Sequence, residues 1–140
     1  GWALRRYRGR ICIERVRDPV PANFREVWKG ESRLPLLELG GVLAFKPEQG
    51  RGLSVEQLRP AEVTVRLREG GERLQADARR PRRMLKKLLQ ERGIPPWQRA
   101  RWPVLYCGEH LVCVPGFGED CAWQAAPAEH GLIVSWELLD

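Results

Sequence analysis

The chain has 140 residues, 43% of them hydrophobic and 30% charged, and its 24 Lys and Arg against 18 Asp and Glu give a formal net charge of +6. That is enough apolar material for one domain, residues 1–140, with its own core, so no disulfide or metal is required for stability, and six Trp argue against disorder. No run approaches the ~18 apolar residues of a membrane span and Gly1 to Arg6 holds no apolar signal core, so the expectation is a soluble cytoplasmic domain with no membrane partner.

In chain order, short apolar runs between turn formers predict strands at Arg10 to Glu14, Leu34 to Leu39 and Val42 to Phe45. Asp18-Pro19-Val20-Pro21 reads as a loop, and so does Lys46 to Leu53, with three charges, two Gly and a Pro. Glu62 to Arg68 is the clearest strand: Val63, Val65 and Leu67 share one face, Thr64, Arg66 and Arg68 the other. Gly70-Gly71 ends it, and Arg73 to Pro81 is a basic loop. Met84, Leu85, Leu88 and Leu89 recur at helical spacing, which predicts a helix from about Arg82 to Arg92, with Arg83, Lys86, Lys87 and Gln90 opposite and Gly93 as its stop. Pro95-Pro96 opens a second short helix through Trp97 to Arg101, which Pro103 halts. Val104 to Cys107 and His110 to Val114 flank Gly108-Glu109 in the pattern of a two-residue hairpin, and Leu132 to Trp136 is the last strand. Strands, two helices and strands again, with no internal repeat, indicate a mixed α+β domain rather than a doubly wound one.

Charge is unevenly placed along these elements. Arg66 to Trp102 holds twelve of the basic residues against Glu69, Glu72, Asp77 and Glu91, whereas Pro103 to Asp140 has no Lys or Arg and six acids. A chain that tolerates such self-repulsion usually has a polyanionic partner. Basic residues recur on the strand face of Arg66 and Arg68, the loop of Arg73, Arg79 and Arg80, and the helix face of Arg83, Lys86 and Lys87. If those elements pack side by side they make one cationic surface, whose long side chains suit phosphates and duplex RNA shape better than base readout. Among the Trp, Trp97 and Trp102, beside Arg99 and Arg101, have surroundings that suit a nucleic-acid face.

Catalytic signals are weak by comparison. Cys107-x-x-His110-x-x-Cys113 with Cys121 has zinc-ligand residue types. In a hairpin, however, Cys107 faces His110 while Cys113, an odd step away, points to the other face. Small buried thiols in the hairpin are the preferred account, all four cysteines including Cys12 read as reduced, and no metal is expected. A Cys107 and His110 nucleophilic pair lacks an orienting third group, and no phosphate loop, dinucleotide fingerprint or nucleophile elbow is present. Gly116 of Pro115-Gly116-Phe117-Gly118 reads as a turn with positive φ.

Val65 to Arg73, Leu85-Lys86-Lys87-Leu88-Leu89-Gln90-Glu91, Ile94-Pro95-Pro96-Trp97, Arg99, Pro103 to Tyr106 and Val114-Pro115-Gly116 together resemble the C-terminal domain of bacterial tRNA(Ile)-lysidine synthetase. The resemblance is dense from about Val63 to Gly118 and looser at Arg5-Arg6-Tyr7-Arg8 and Trp28-Lys29-Gly30. It implies a barrel-like mixed sheet with helices, similar to a domain of the phenylalanyl-tRNA synthetase β chain, and a supporting role in tRNA recognition near the acceptor stem. It also implies that this chain, which starts at Gly1 rather than Met, is a piece of a longer ligase. In that parent a separate N-terminal catalytic domain, with a Ser-Gly-Gly-x-Asp-Ser loop for ATP, attaches lysine to the wobble cytidine. Arg73 and Lys86 match the family's tRNA-contacting motifs; Arg66, Arg68, Lys87, Arg79, Arg80 and Arg83 come from charge placement. The alternative is a protein-docking module whose basic face meets an acidic partner or a second copy.

Overall fold

The computed structural model describes residues 2–7, 9–15 and 23–139. The predicted loop Asp18 to Pro21 lies outside them. Strands β1 (Trp2–Tyr7) and β2 (Arg10–Arg15) form an antiparallel hairpin in continuous register from Trp2 opposite Arg15 to Tyr7 opposite Arg10.

The body of the fold is two antiparallel sheets. The first joins β3 (Arg25–Trp28), β7 (Val63–Leu67), β10 (Pro103–Cys107), β11 (His110–Val114) and β12 (Gly118–Glu119), in the order β12-β11-β10-β7-β3. The second joins β4 (Arg33–Leu36), β5 (Gly41–Gln49), β13 (His130–Leu138) and β6 (Leu53–Ser54), in the order β4-β5-β13-β6. A core of Leu43, Phe45, Leu53, Val65, Leu105 and Val112, with Leu39 and Leu58, lies between them, and Trp28 stacks on Phe45 at 4.6 Å. Burial of each such Leu contributes roughly 1.5–3 kcal/mol.

A second core covers the other face of the first sheet. Helix α2 (Leu85–Glu91) lays Leu85 and Leu89 on Val104 and Val114, with Leu74 and Trp102 completing the cluster. Leu74 belongs to β8 (Arg73–Leu74), which pairs with β9 (Arg83–Met84). Two short helices, α1 (Val55–Leu58) and α3 (Pro96–Arg99), fill connections.

Several expectations shift. The sheets close no barrel, since β12, β3, β4 and β6 remain as edges among the described strands. Lys46 to Gln49 is not loop but the end of β5, held by pairing with His130 to Ile133 of β13. The strand read as Leu34 to Leu39 stops at Leu36 and turns back through Gly40, whose N–H reaches the Leu36 carbonyl. The helix read from Arg82 starts at Leu85, because Arg83 and Met84 are drawn into pairing with Leu74 and Arg73 inside the supposed basic loop. The second helix ends at Arg99, and α1 makes three α-helices rather than two among the described residues.

Gly131 sits where β13 is flanked by both β5 and β6, opposite Glu48 and Ser54. A Cβ there would overlap the Arg51 carbonyl oxygen, a backbone atom with no room to yield. Gly131→Ala is therefore expected to lower the melting temperature of the chain by on the order of 10 °C in a thermal melt followed by circular dichroism, a large loss for one methyl group.

Candidate nucleic-acid interface

The exposed cations are mounted by the second core. Leu85 and Leu89 turn one side of α2 inward, which leaves Lys86 and Lys87 outward and exposed. Gly93, at φ 80°, closes the helix: its N–H reaches the Gln90 carbonyl and that of Ile94 reaches Leu89 at 3.1 Å, while Ile94 packs on the same cluster. At the other end no side chain caps the helix, and the Leu85 N–H donates to the Glu72 carbonyl at 3.0 Å. Glu72 also folds its carboxylate onto the N–H groups of Glu69 and Gly70, closing the Gly70-Gly71 turn. Arg73 follows on β8 and lies opposite Met84, two residues before Lys86, so residues distant in sequence become neighbours. Arg73, Lys86 and Lys87 are exposed and form no ion pair among the described residues.

Arg79, Arg80 and Arg83 are exposed but engaged. Arg79 and Arg80 share Asp77, and Arg83 binds Glu91. Hydrogen bonds from the Arg79 backbone and side chain hold the Asp77 carboxyl below its ordinary range, and the Arg83 bond does the same for Glu91. Surface pairs of this kind contribute little stability and give way to a competing anion.

Arg66 and Arg68 are recessed. Arg66, on the α2-covered face of β7, donates to Thr64 Oγ1 and the Gly108 carbonyl, both at 3.0 Å, and lies over the Tyr106 ring at 4.3 Å. Just beyond β7, burial pushes the Arg68 guanidinium below its usual value, with Glu72 opposing and Arg99 adding to the shift. The cations thus occupy three ranks rather than one plate: Arg73, Lys86 and Lys87 open, Arg79, Arg80 and Arg83 paired, Arg66 and Arg68 inward. Trp102 does not face solvent: it is buried, donates to the Pro115 carbonyl at 3.0 Å and meets Phe117 edge-on. Arg92 covers the other side of Phe117 at 3.9 Å and donates to the Gly116 carbonyl, so Val114-Pro115-Gly116 is anchored to α2 and Trp102. Gly116 has the expected positive φ, 82°.

No motif marks Asp120 as an organising group. It is buried, accepts from Arg82 Nη1 at 2.8 Å and Gln75 N–H at 3.1 Å, and ties the base of the 75–82 segment to the end of β12. Such an acceptor is legible only once the chain is folded.

The hairpin forms as expected, Cys107 opposite His110, but the parity argument for Cys113 fails. Register shifts between Leu105 and Tyr106, so that Cys113 lies opposite Leu105 and Val112 is the additional residue of a bulge. Both thiols therefore enter the core between the sheets. Burial raises the Cys107 thiol and raises that of Cys113 well above its ordinary value, which favours the protonated, unreactive form. Among the described residues no three His, Cys, Asp or Glu side chains are grouped to hold a metal ion.

Residues 63–136 match the family of TilS substrate C-terminal domains. A tRNA(Ile)-lysidine synthase of Nitrosomonas europaea is 46% identical over 110 residues, covering 79% of this chain and 24% of that protein. One from Ralstonia nicotianae is 36% identical over 145 residues, covering 97% and 31% respectively. The chain thus spans about a quarter to a third of these relatives' length. The crystal structure of a TILS C-terminal domain superposes with a TM-score of 0.63 at 18% identity, covering 84% of this chain and 99% of that one, a likeness of fold.

With Cys12 replaced by Ser, a chromogenic disulfide reagent at neutral pH is expected to titrate Cys121 alone, the half-buried thiol, and to reach Cys107 and Cys113 only in denaturant. Rapid reaction of all three would show that the hairpin does not pack as described.

Proposed function

The chain belongs to the family of TilS substrate C-terminal domains, and from that premise we propose that it is the tRNA-holding domain of a tRNA(Ile)-lysidine synthase. The observation that carries the proposal is the group of Arg73, Lys86 and Lys87, three exposed cations set on a packed helix and a strand pair, with no ion pair among the described residues. Phosphates on the acceptor-stem side of the tRNA take up these charges and release condensed counterions, which supplies affinity and register without base identity. Arg79, Arg80 and Arg83 join by exchanging Asp77 and Glu91 for phosphate. Arg66 and Arg68 shape the sheet face behind them.

In this reading the domain performs no chemistry of its own. Lysine attachment to the wobble cytidine, with ATP, falls to a separate catalytic domain whose Ser-Gly-Gly-x-Asp-Ser loop does not occur in these 140 residues. The parent works in the cytoplasm; no helix of the described residues is long and apolar enough to cross a membrane. A fold likeness to a domain of the phenylalanyl-tRNA synthetase β chain belongs to the same proposal.

A filter-binding titration against tRNA is expected to show affinity falling steeply with added salt. Replacing Lys86 and Lys87 by Glu should weaken binding at least about tenfold and flatten the salt slope by about two, one per lost phosphate contact. Unchanged affinity in that variant, or binding indifferent to salt, would refute the assignment. A protein complex that forms without RNA and is broken by the same charge reversal would support docking instead.

A further inference from the structure

Beside Arg73, a shallow groove runs between α1, the tip of the β10–β11 hairpin and the turn after β12. Its wall is aromatic: Trp123 and His110 meet with ring centroids 5.8 Å apart, tilted by 41°. The Trp123 ring is half-buried against the core between the sheets, so one part is anchored and another is open. Its backbone is fixed as well. Trp123 N–H donates to the Asp120 carbonyl and Cys121 N–H to the Gln75 carbonyl, and the Gln124 side chain adds a bond from its Nε2 to the Ala76 carbonyl.

The charges in the groove are already balanced, with one exception. Asp120 holds Arg82, and Glu109 lies 3.7 Å from Arg66. Arg73 alone among the charged lining groups has no ion pair with a described residue. The exposed side-chain amide of Gln57, which offers both donors and an acceptor, makes no hydrogen bond among the described residues.

A fixed aromatic face, a free amide and one uncompensated guanidinium are the three requirements of a nucleotide: a plane to stack on, a partner for the base edge and a counter-charge for the phosphate. We propose that this groove binds one unpaired nucleotide at the end of an RNA duplex, its base against Trp123 and His110, its edge toward Gln57 and its phosphate on Arg73. The duplex itself lies over Lys86 and Lys87, since Arg73 borders both surfaces. The inference rests on the RNA-binding reading above and adds a recognition of ends to it.

The test uses an RNA hairpin whose strand extends by a few unpaired nucleotides carrying 2-aminopurine, against the same hairpin with a blunt end. The extended RNA should bind at least about fivefold more tightly and its probe emission should be quenched on binding. Trp123→Ala and His110→Ala should each remove most of that gain and leave blunt-end binding unchanged, whereas Lys86→Glu should weaken both RNAs alike. His110 is exposed, so its variant decides the matter even where Trp123→Ala disturbs the core, and Trp123→Phe should retain the quench. Equal affinity for the two RNAs with unquenched emission overturns the groove assignment while the RNA-binding reading stands. Absence of binding by either RNA overturns both.

Discussion

The middle strands β7, β10 and β11 are buried on both faces, and the rest of the domain follows from that constraint. One face closes the core beneath the second sheet; the other, bearing Val104 and Val114, must be covered by something else. Antiparallel sheets with one wetted face alternate strictly, but β10 reads Pro-Val-Leu-Tyr-Cys without a charge. The cover is α2 with Leu74 of β8, and Trp136 of β13 reaches both clusters. The helix that completes the core is therefore also the element that presents Lys86 and Lys87. Stability and the cationic face are two sides of the same seven residues.

The readable parts of the fold are those whose cause is local. Alternation along Glu62 to Arg68, glycine at the hairpin tip and Gly93 after a leucine repeat act over a few residues, and each predicted element is present. Lys46 to Gln49 has the composition of a loop because the cause of its strand structure is remote. Pro47 would interrupt a fully paired strand, but β4 reaches only as far as Ala44, so Pro47 needs a partner on one side alone, at Leu132. The bulge at Val112 leaves no mark in an apolar run, and parity fails there for that reason. Helix α1, by contrast, had a signal: Ser54 and Gln57 have the spacing of a capping box, and Ser54 Oγ accepts from the Gln57 N–H.

The same distinction governs the interface. The sequence points to the basic centre, and strand pairing sets Arg73 opposite Met84, two residues before Lys86. It does not reveal which cations are spoken for, because Arg82 finds Asp120 across 38 residues and Arg66 finds the Gly108 carbonyl across 42. Nor does it reveal the meeting of His110 with Trp123, since neither lies in a motif that anticipates the other. The acidic segment from Pro103 onward is in part the counterweight to these cations: Glu109 pairs with Arg66 and Asp120 with Arg82, while Glu137 holds Arg33 outside the basic centre.

Asp120 clamps the roots of the segment between β8 and β9 through Gln75 and Arg82, while Arg79 and Arg80 at its crest stand almost wholly in water, at 90% and 82% exposure. The domain so divides into a firm seat and a pliant fringe. On the tRNA-holding proposal the seat would set where a polyanion rests, while the fringe, bearing none of the core, would add charge at the margin at no cost to the scaffold beneath.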